Sequence, residues 1–381
     1  MIPYGKHSVS DEDVEAVVHV LKNEFLTQGK QVPAFERALC DYTGAGYAVA
    51  CNSGTSGLHM ACLAAGVGAG DVVWTVPNSF AASANAALYC GAAVDFVDID
   101  PVTRNLCVSA LSNKLNDATA AGRLPKAIVV VHFAGSSCDM RAIAALTAPL
   151  GITLIEDAAH AFGGKDKLGN RVGACTYSAM VVSSFHPVKS ITTAEGGVVF
   201  TNDGTLAEKL RLFASHGITK QQAKMPVGHE HESWFYAQID LGFNYRLSDL
   251  HAALGLVQLA KLDAFVGARF EKAKYYNEAL AALPVTRPLM DENSAWHLYV
   301  IELPEHDRTQ VFKALREKGI GVNVHYIPIH LHPYYQGMGF AKGDFPNSET
   351  YYQKAITLPL YPDLSADNQG KVINSLKEAL M

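Results

Sequence analysis

The sequence predicts an α/β protein with a mostly parallel sheet in a large first domain and a smaller α+β domain after it. The chain has 381 residues, and one hydrophobic core rarely extends past about 250–300 residues, so two domains are expected. The first half alternates short apolar runs with helical segments, the pattern of a parallel sheet covered on both faces. We expect the large domain, with an N-terminal arm, over residues 1–255 and the small domain over 256–381.

Composition excludes several classes of protein. Hydrophobic residues make up 49% of the chain and charged residues 18%, a balance that excludes a disordered or fibrous chain. The net charge of −6 argues against a basic surface, so no nucleic-acid partner is expected. Residues 42–70 and 72–94 lack Asp, Glu, Lys and Arg but contain Asn and Ser. They therefore predict buried parts of a core rather than membrane spans.

The N-terminus and the cysteines predict a cytoplasmic protein. Acidic residues begin at Asp11, before any apolar signal core, so no export is expected. The seven cysteines are odd in number and widely spaced, without a C-x-x-C pair, as expected of reduced thiols. His325, His330 and His332 lie close together but fit no structural zinc pattern, and we predict no metal site.

Apolar runs rich in β-branched residues predict the strands of the large domain. They cover Tyr47–Ser53, Val72–Pro77, Ala93–Ile99, Ala127–Phe133, Thr153–Asp157, Thr176–Phe185 and Val198–Asn202. Helical segments between them cover Gly57–Ala65, Ala81–Cys90 and Met140–Leu150. Ser10, with Asp13 three residues on, is expected to cap a first helix.

A second capping signal, Ser248–Asp249, predicts the helix that leads into the small domain. Apolar residues recur on one face from Leu250 to Phe265, as in a long amphipathic helix. The pattern beyond it predicts a strand, a helix, a strand and a C-terminal helix that begins at Ser365. The first three cover Trp296–Glu302, Arg308–Lys318 and Val322–Ile327.

The segment CNSGTSGLHMA predicts an anion site at the start of a helix. A strand ends at Ser53, Gly54 turns the chain and a helix begins. Ligands of parallel sheets bind beyond the carboxyl ends of strands, and the free N–H groups of a helix N-terminus attract phosphate. Thr55 and Ser56 add hydroxyl donors. The alternative is an ordinary strand-to-helix turn with a Ser or Thr cap.

Carboxylates end the buried strand of the segment ITLIEDAAHAFGG. Glu156 and Asp157 stand where a charge is costly to bury unless a cation meets it. A protonated pyridine ring is one such cation, and His160 is placed to hydrogen-bond an oxygen on that ring. A solvent-facing strand end is the alternative.

The segment SSFHPVKSITTAEGG places a lysine in a loop after a strand. Pro187 breaks the strand that ends near Phe185, and Lys189 follows among apolar and hydroxyl residues. A lysine partly removed from water has a lowered pKa and acts as an amine nucleophile. Ser184 is placed to donate to a phosphate, and Gly196–Gly197 permits close backbone approach. The alternative is an ordinary solvated lysine.

Taken together, these segments match what pyridoxal phosphate requires. The cofactor needs a lysine for its aldehyde, an acid partner for its ring nitrogen and an anion site for its phosphate. Phe80, after the strand that ends at Pro77, is placed to stack on the ring. A nicotinamide-dependent enzyme would need a glycine-rich loop after the first strand and an acidic residue about 20 positions on, and the sequence lacks that pair. A protein that holds the cofactor without turnover remains open.

At these residues the sequence resembles the sugar aminotransferases of the DegT/StrS type, which depend on pyridoxal phosphate and share the aspartate aminotransferase fold (PLP fold type I). The motifs NSGTS, EDAAHAFG, SFHPVKSITTAEGG, LGFNYRLSD and VHYIPIH occur in the order and approximate spacing of that family. The resemblance covers nearly the whole chain. Several independent motifs in register make it specific. A dehydratase branch of the family has His in place of the lysine, so Lys189 argues against that branch.

The resemblance implies a role for each matching position. The catalytic residue would be Lys189, which bonds covalently to the cofactor aldehyde. The other cofactor-binding residues would be Gly54, Thr55, Phe80, Asp157, His160, Ser184 and Asn244. Among them, Asp157 would pair with the pyridine nitrogen, and Asn244 would reach the phosphate of the partner subunit in an obligate homodimer. The substrate-binding residues would be Tyr4, Glu24, Phe25, Leu26, Thr27, His325 and Tyr326.

Within the family, FLTQGK and SFHPVKSITTAEGG most resemble the branch of pseudaminic acid biosynthesis. The resemblance then implies transfer of the amino group of L-glutamate to C4 of a UDP-linked 4-keto-6-deoxy-N-acetylamino sugar. A sugar of the perosamine, viosamine or bacillosamine type is an alternative, as is a nucleotide other than UDP. A non-catalytic regulator that binds pyridoxal phosphate is a further alternative.

Overall fold

Strands and helices alternate through the first half of the chain in the computed structural model, which describes residues 1–221, 228–229 and 232–381. The helices are α1 (Asp11–Asn23), α2 (Gln31–Thr43), α3 (Gly54–Ala64), α4 (Ala82–Tyr89), α5 (Val108–Ala120), α6 (Met140–Thr147), α7 (Gly204–Ala214), α8 (Asp249–Ala260), α9 (Leu262–Ala279), α10 (Arg308–Glu317), α11 (Pro333–Gln336), α12 (Pro346–Lys354) and α13 (Ala366–Ala379). The strands are β1 (Tyr47–Cys51), β2 (Val72–Thr75), β3 (Ala93–Phe96), β4 (Ala127–Val131), β5 (Thr153–Asp157), β6 (Met180–Ser184), β7 (Gly197–Thr201), β8 (Ile218–Thr219), β9 (Ala237–Gln238), β10 (Tyr299–Glu302) and β11 (Ala355–Leu358).

The central sheet has seven strands in the order β1-β7-β6-β5-β4-β2-β3. The strands from β3 to β6 pair in parallel along this order, whereas β7 runs antiparallel to both of its neighbours, β6 and β1. The register pairs Val131 of β4 with Asp157 of β5, so the carboxyl ends of these two strands lie side by side. The predicted α/β fold with a mostly parallel sheet is confirmed.

Helices cover both faces of this sheet. Successive side chains of a strand point to opposite faces, so one strand contributes to the core on each side. Val129 of β4 belongs to the core cluster that contains Leu58 of α3. Its neighbours Ile128 and Val130 belong to a second cluster, with Leu111 of α5. Every residue of β4 is buried, and complete burial of each Val or Ile side chain stabilises the fold by about 1.5–3 kcal/mol.

A separate core cluster lies in the C-terminal part of the chain. It joins buried residues of α9, β10, α10, β11 and α13, and β10 pairs antiparallel with β11. The N-terminus packs here as well, since Ile2 N donates to Gly319 O at 2.8 Å and Gly321 N donates to Ile2 O at 2.6 Å. The division at residues 255 and 256 stays a prediction, and it falls within α8.

The predicted strand Val322–Ile327 is wrong. Only an isolated bridge between Asn323 and Thr357 forms there. Beyond it, the backbone pairs with the loop after β2: Tyr326 N donates to Asn78 Oδ1 at 3.3 Å, and Ile329 N donates to Pro77 O at 2.9 Å. These hydrogen bonds form in place of a strand ladder. They hold the segment after Asn323 at the carboxyl edge of the sheet.

The single long helix predicted from Ser248 is two helices. α8 ends before Lys261, and α9 continues at an angle of 58°. Lys261 Nζ contacts Ser10 Oγ at 2.6 Å and Asp13 Oδ2 at 3.0 Å, so the bend lies against the cap of α1. Ser10 N donates to Asp13 Oδ2 at 2.8 Å, which confirms the predicted cap.

Helix length and hydropathy bear on membrane insertion. Among the described residues, no single helix is both long and apolar enough to cross a membrane. The α8–α9 pair meets those criteria only when the two bent helices are counted together.

Candidate active site

Lys189 lies in a loop held against the carboxyl end of β6. Its backbone N–H donates to His186 O at 2.9 Å. The loop is closed on both sides of Phe185, whose N–H donates to Gly196 O at 2.9 Å and whose carbonyl accepts from Thr193 N at 3.0 Å. Burial lowers the pKa of the Lys189 ammonium to about 8, and the charge of Asp157 opposes that change. The alternative of an ordinary solvated lysine does not fit this environment.

Asp157 ends β5 and is buried, with 6% of its surface exposed. Its Oδ2 accepts from Ser83 Oγ at 2.6 Å, and its Oδ1 accepts from Ala159 N at 3.1 Å. Within the described part of the chain, no cationic side chain forms a salt bridge with it. A buried carboxylate is costly unless a cation meets it. The charge of Lys189 acts on Asp157 without a salt bridge, and a positively charged group bound from outside the chain would fit beside this carboxylate.

Aromatic and imidazole rings pack against one another near Asp157 and Lys189. His160 Nε2 lies 3.0 Å from the hydroxyl oxygen of Tyr326, and the His160 ring centroid lies 4.4 Å from that of His297. His325 packs on Tyr4 with a centroid distance of 5.2 Å. Burial, reinforced by the charge of Lys189, lowers the pKa of His160 well below its usual value and that of His325 to about 3. Both rings are therefore neutral near pH 7.

The start of α3 forms an anion cradle with Ser184. A Cβ atom at Gly54 would lie 2.9 Å from Ser184 Cβ and 3.3 Å from its Oγ, so only glycine allows this approach. A Cβ at Gly197 would lie 2.6 Å from the carbonyl carbon of Ser53. Ser53 caps the helix by accepting from Ser56 N at 3.1 Å. The N–H groups of Gly54 and Thr55, at the start of α3, have no partner within the helix and are available to a phosphate.

These residues fit pyridoxal phosphate. The cradle at Gly54 suits its phosphate, Lys189 its aldehyde and Asp157 its ring nitrogen. Two further buried polar atoms at the site, His160 Nδ1 and Asn78 Nδ2, have no hydrogen-bond partner among the described residues. Buried polar groups are rarely left unpaired, and a ring that carries oxygen atoms would supply acceptors for such groups.

The remaining predicted residues lie farther out. Phe80 is 62% exposed, with its ring centroid 6.5 Å from that of Tyr326. Asn244 is exposed. In the segment Glu24–Thr27, Glu24 contacts Lys30 Nζ at 3.0 Å, and Phe25 is 79% exposed. The structure thus brings Tyr4, His325 and Tyr326 to the site, whereas Phe25, Leu26, Thr27 and Asn244 are exposed and Glu24 is half-buried.

The sequence interpretation missed residues that the structure brings to the site. Ser83 and Asn78 follow β2, where a serine or an asparagine beside a helix start is usually only a cap. His297 comes from the segment before β10, more than a hundred residues from His160 in the sequence. Asp249, which the sequence predicts only as part of a helix cap, has a further role: its carboxylate accepts from Gly29 N and Gln31 N, both at 2.8 Å, and so fixes the chain after Glu24–Thr27.

The fold and the site together define an enzyme class. A lysine, a buried aspartate and a helix N-terminus at the carboxyl edge of a mostly parallel sheet are the parts of a pyridoxal-phosphate site of the aminotransferase fold. The model of the DegT/DnrJ/EryC1/StrS aminotransferase family matches residues 7–377. The chain belongs to this family, and the resemblance noted from its motifs is confirmed.

Individual relatives agree with this assignment. The spore coat polysaccharide biosynthesis protein SpsC of Bacillus subtilis is 37% identical over 388 aligned positions, which cover 99% of this chain and 96% of SpsC. Helicobacter pylori PseC, an aminotransferase involved in the biosynthesis of pseudoaminic acid, has a TM-score of 0.90 and is 31% identical, covering 100% of this chain and 99% of PseC. The PMP-form of the putative sugar aminotransferase Spr1654 from Streptococcus pneumoniae has a TM-score of 0.89 and is 26% identical, covering 100% and 99%.

The chain is therefore a sugar aminotransferase that depends on pyridoxal phosphate. The predicted enzyme class and the predicted cofactor are both confirmed. The roles assigned to individual residues stay predictions, which the site geometry makes testable.

The lowered pKa of Lys189 predicts how cofactor capture depends on pH. Only the neutral amine attacks an aldehyde, and burial lowers the Lys189 pKa to about 8. The rate of covalent capture by the apoprotein is thus expected to rise through pH 8 and to level off above it. Mixing apoprotein with pyridoxal phosphate at several pH values and following the visible absorbance measures this rate. A midpoint near the ordinary lysine pKa of about 10.4 would contradict the prediction.

Proposed function

We propose that this enzyme transfers the amino group of L-glutamate to C4 of a UDP-linked 4-keto-6-deoxy-N-acetylamino sugar, as in pseudaminic acid biosynthesis. The transfer chemistry is supported by one observation: the pKa of Lys189 is lowered to about 8, and the buried Asp157 lies near it. The choice of sugar is supported by the likeness to Helicobacter pylori PseC, which covers both chains almost completely.

Each residue of the site has a distinct part in this reaction. Pyridoxal phosphate supplies an electron sink for the carbon that loses or gains a proton. The Lys189 amine, once displaced by the amino donor, takes a proton at Nζ and returns it, which its lowered pKa permits near neutral pH. Asp157 holds a proton on the ring nitrogen, because an opposite charge at contact distance favours the charged form. Gly54, Thr55 and Ser184 bind the phosphate.

The remaining residues select and orient the substrates. We assign Phe80 to one face of the cofactor ring and His160 to the ring hydroxyl. The neutral rings of Tyr4, His325 and Tyr326 form a wall beside the reacting carbon and exclude water from it. Because the pKa of His325, about 3, lies well below that of Lys189, about 8, this ring does not take the proton, and the lysine remains the proton carrier.

A second copy of the chain is part of the proposal. Val14, Leu21 and Phe25 are 52%, 55% and 79% exposed along one side of α1 and just after it. Exposed apolar patches of this kind mark interaction surfaces. We assign this surface to a homodimer in which Asn244 reaches the partner's phosphate and Glu24–Thr27 lines a substrate site.

All seven cysteines are free thiols, which supports a cytoplasmic location.

A panel of keto sugars tests the substrate. UDP-, dTDP- and GDP-linked 4-keto-6-deoxy sugars, with and without an N-acetyl group, would be incubated with purified holoenzyme and L-glutamate, and products followed by mass. We expect the UDP-linked N-acetylamino sugar to be converted with the highest kcat/KM. A higher kcat/KM for a sugar of the perosamine or viosamine type would mean that this sugar is the substrate instead. If no sugar were converted, the result would favour the non-catalytic regulator. A 3-keto sugar in the panel separates C3 from C4 transfer.

A further inference from the structure

A relay of two buried serines ends on Asp157. Ser83 Oγ donates to Asp157 Oδ2 at 2.6 Å, and Ser79 Oγ lies 2.8 Å from Ser83 Oγ. The two serines are 1% and 4% exposed, respectively. An ionised carboxylate only accepts hydrogen bonds, so the Ser83 hydroxyl hydrogen points to Asp157. Ser79 must then donate to the Ser83 oxygen, and the direction of the relay follows.

The relay belongs to a short turn that also carries Phe80. Ser83 N donates to Phe80 O at 3.2 Å, and Ser79 N donates to Pro77 O at 3.1 Å. The turn connects β2 to α4, and the register of β4 and β5 brings Asp157 to the same edge of the sheet. One turn therefore carries both the Phe80 ring and the Ser83 hydroxyl that contacts the carboxylate.

The two oxygens of Asp157 are held from different sides. Oδ1 accepts from Ala159 N at 3.1 Å, in the chain that follows β5, and Oδ2 accepts from Ser83. With one donor on each oxygen, the plane of the carboxylate is fixed. Hydrogen bonds to a carboxylate also favour its charged form, and both effects depend on the Ser83 hydroxyl in a buried position.

We propose that Ser83 is a positioning residue of the transamination, which orients the carboxylate of Asp157 through the relay Ser79–Ser83–Asp157. The proposal rests on the proposed function in one respect: it takes Asp157 as the partner of the cofactor's ring nitrogen. Without the Ser83 donor, the orientation of the carboxylate would no longer be fixed, and Asp157 would hold the proton of a bound pyridine ring less firmly on the ring nitrogen. The bound ring would carry less positive charge, and the nitrogen at Lys189 would keep its own proton to higher pH.

Ser83→Ala tests the proposal in two independent ways. The pH titration of the visible absorbance of the holoprotein is expected to shift its midpoint upward by about one unit, a change that needs no turnover. kcat is expected to fall about tenfold, the typical effect of losing a hydrogen bond to a charged group, with KM for the keto sugar within about twofold. Ser83→Thr keeps the hydroxyl and is expected to restore both values.

Matched serine variants separate the relay from packing. Ser183 is also completely buried, and its hydroxyl contacts Ala158 O at 3.4 Å rather than Asp157. Ser183→Ala is expected to leave the midpoint unchanged, whereas Ser79→Ala is expected to raise it by less than Ser83→Ala. An unchanged midpoint in Ser83→Ala, or an equal shift in Ser183→Ala, would overturn the proposal.

The same measurements distinguish this proposal from the proposed function. If the wild-type holoprotein shows the visible band but converts no keto sugar, the proposed substrate is wrong. The midpoint shift in Ser83→Ala then still tests whether Ser83 positions Asp157. If the wild-type protein binds no pyridoxal phosphate, both fail together.

Discussion

Lys189→Ala is expected to lower kcat by at least about 10⁴-fold. General acid–base catalysis alone contributes about 10²–10⁴-fold, and this variant loses the covalent attachment of the cofactor as well. The phosphate cradle at Gly54 and Ser184 and the carboxylate of Asp157 remain, so pyridoxal phosphate is still expected to bind. Steady-state transfer from L-glutamate and equilibrium dialysis of the cofactor measure the two effects separately.

Borohydride reduction provides a direct check on this variant. Reduction of the wild-type holoprotein is expected to fix the cofactor on the peptide that contains Lys189, and reduction of Lys189→Ala is expected to fix none. Lys167 is exposed on the surface and provides a control, since Lys167→Ala should behave like the wild type. Substantial transamination by Lys189→Ala would refute its assignment as the proton carrier.

Asp157→Asn is expected to have the second largest effect, a loss of about 10- to 1,000-fold in kcat. The amide keeps the size of the side chain but removes its charge. An opposite charge at contact distance shifts a pKa by about 1–3 units, and each unit corresponds to 1.36 kcal/mol. Without the carboxylate, the site would hold the proton on the ring nitrogen less firmly, and the bound cofactor would supply a weaker electron sink for the reacting carbon.

Single-turnover kinetics show whether the loss lies in the chemical step. With Asp157→Asn, proton transfer is expected to become rate-limiting, so L-glutamate deuterated at its α carbon should react more slowly than the protiated donor. Asp100→Asn is a suitable control, because the Asp100 carboxylate accepts from Val102 N and Thr103 N in a surface turn. A rate for Asp157→Asn close to that of the wild type would mean that another group protonates the ring.

Much of the large domain was predictable because its signals are local. Each buried strand is a short apolar run, and the turn residues between runs mark where it ends. The sheet consequently contains all seven predicted strands, with ends moved by a few residues; the strand predicted from Thr176 begins at Met180. The main parts of the cofactor site were predictable for a related reason, since in a parallel sheet they follow the carboxyl ends of strands.

Predictions failed where long-range contacts override local pattern. The segment from Val322 to Ile327 has the composition of a strand, but contacts with Pro77 and Asn78 hold it at the site instead. The helix from Ser248 has a continuous apolar face, and it still bends where Lys261 meets the cap of α1. Neither contact partner is near in the sequence, so no local window contains the information.

The sequence by itself determined the alternation of strands and helices, the lysine, aspartate and phosphate motifs, and through them the family and the cofactor. Only the tertiary structure decided that Ser83 contacts Asp157, that His297 packs on His160, and that Asp249 fixes the chain after Glu24–Thr27. The physical reason is range: backbone propensity and burial act on neighbouring residues, whereas a hydrogen bond or a ring contact joins side chains that come together only when the sheet and its loops have formed.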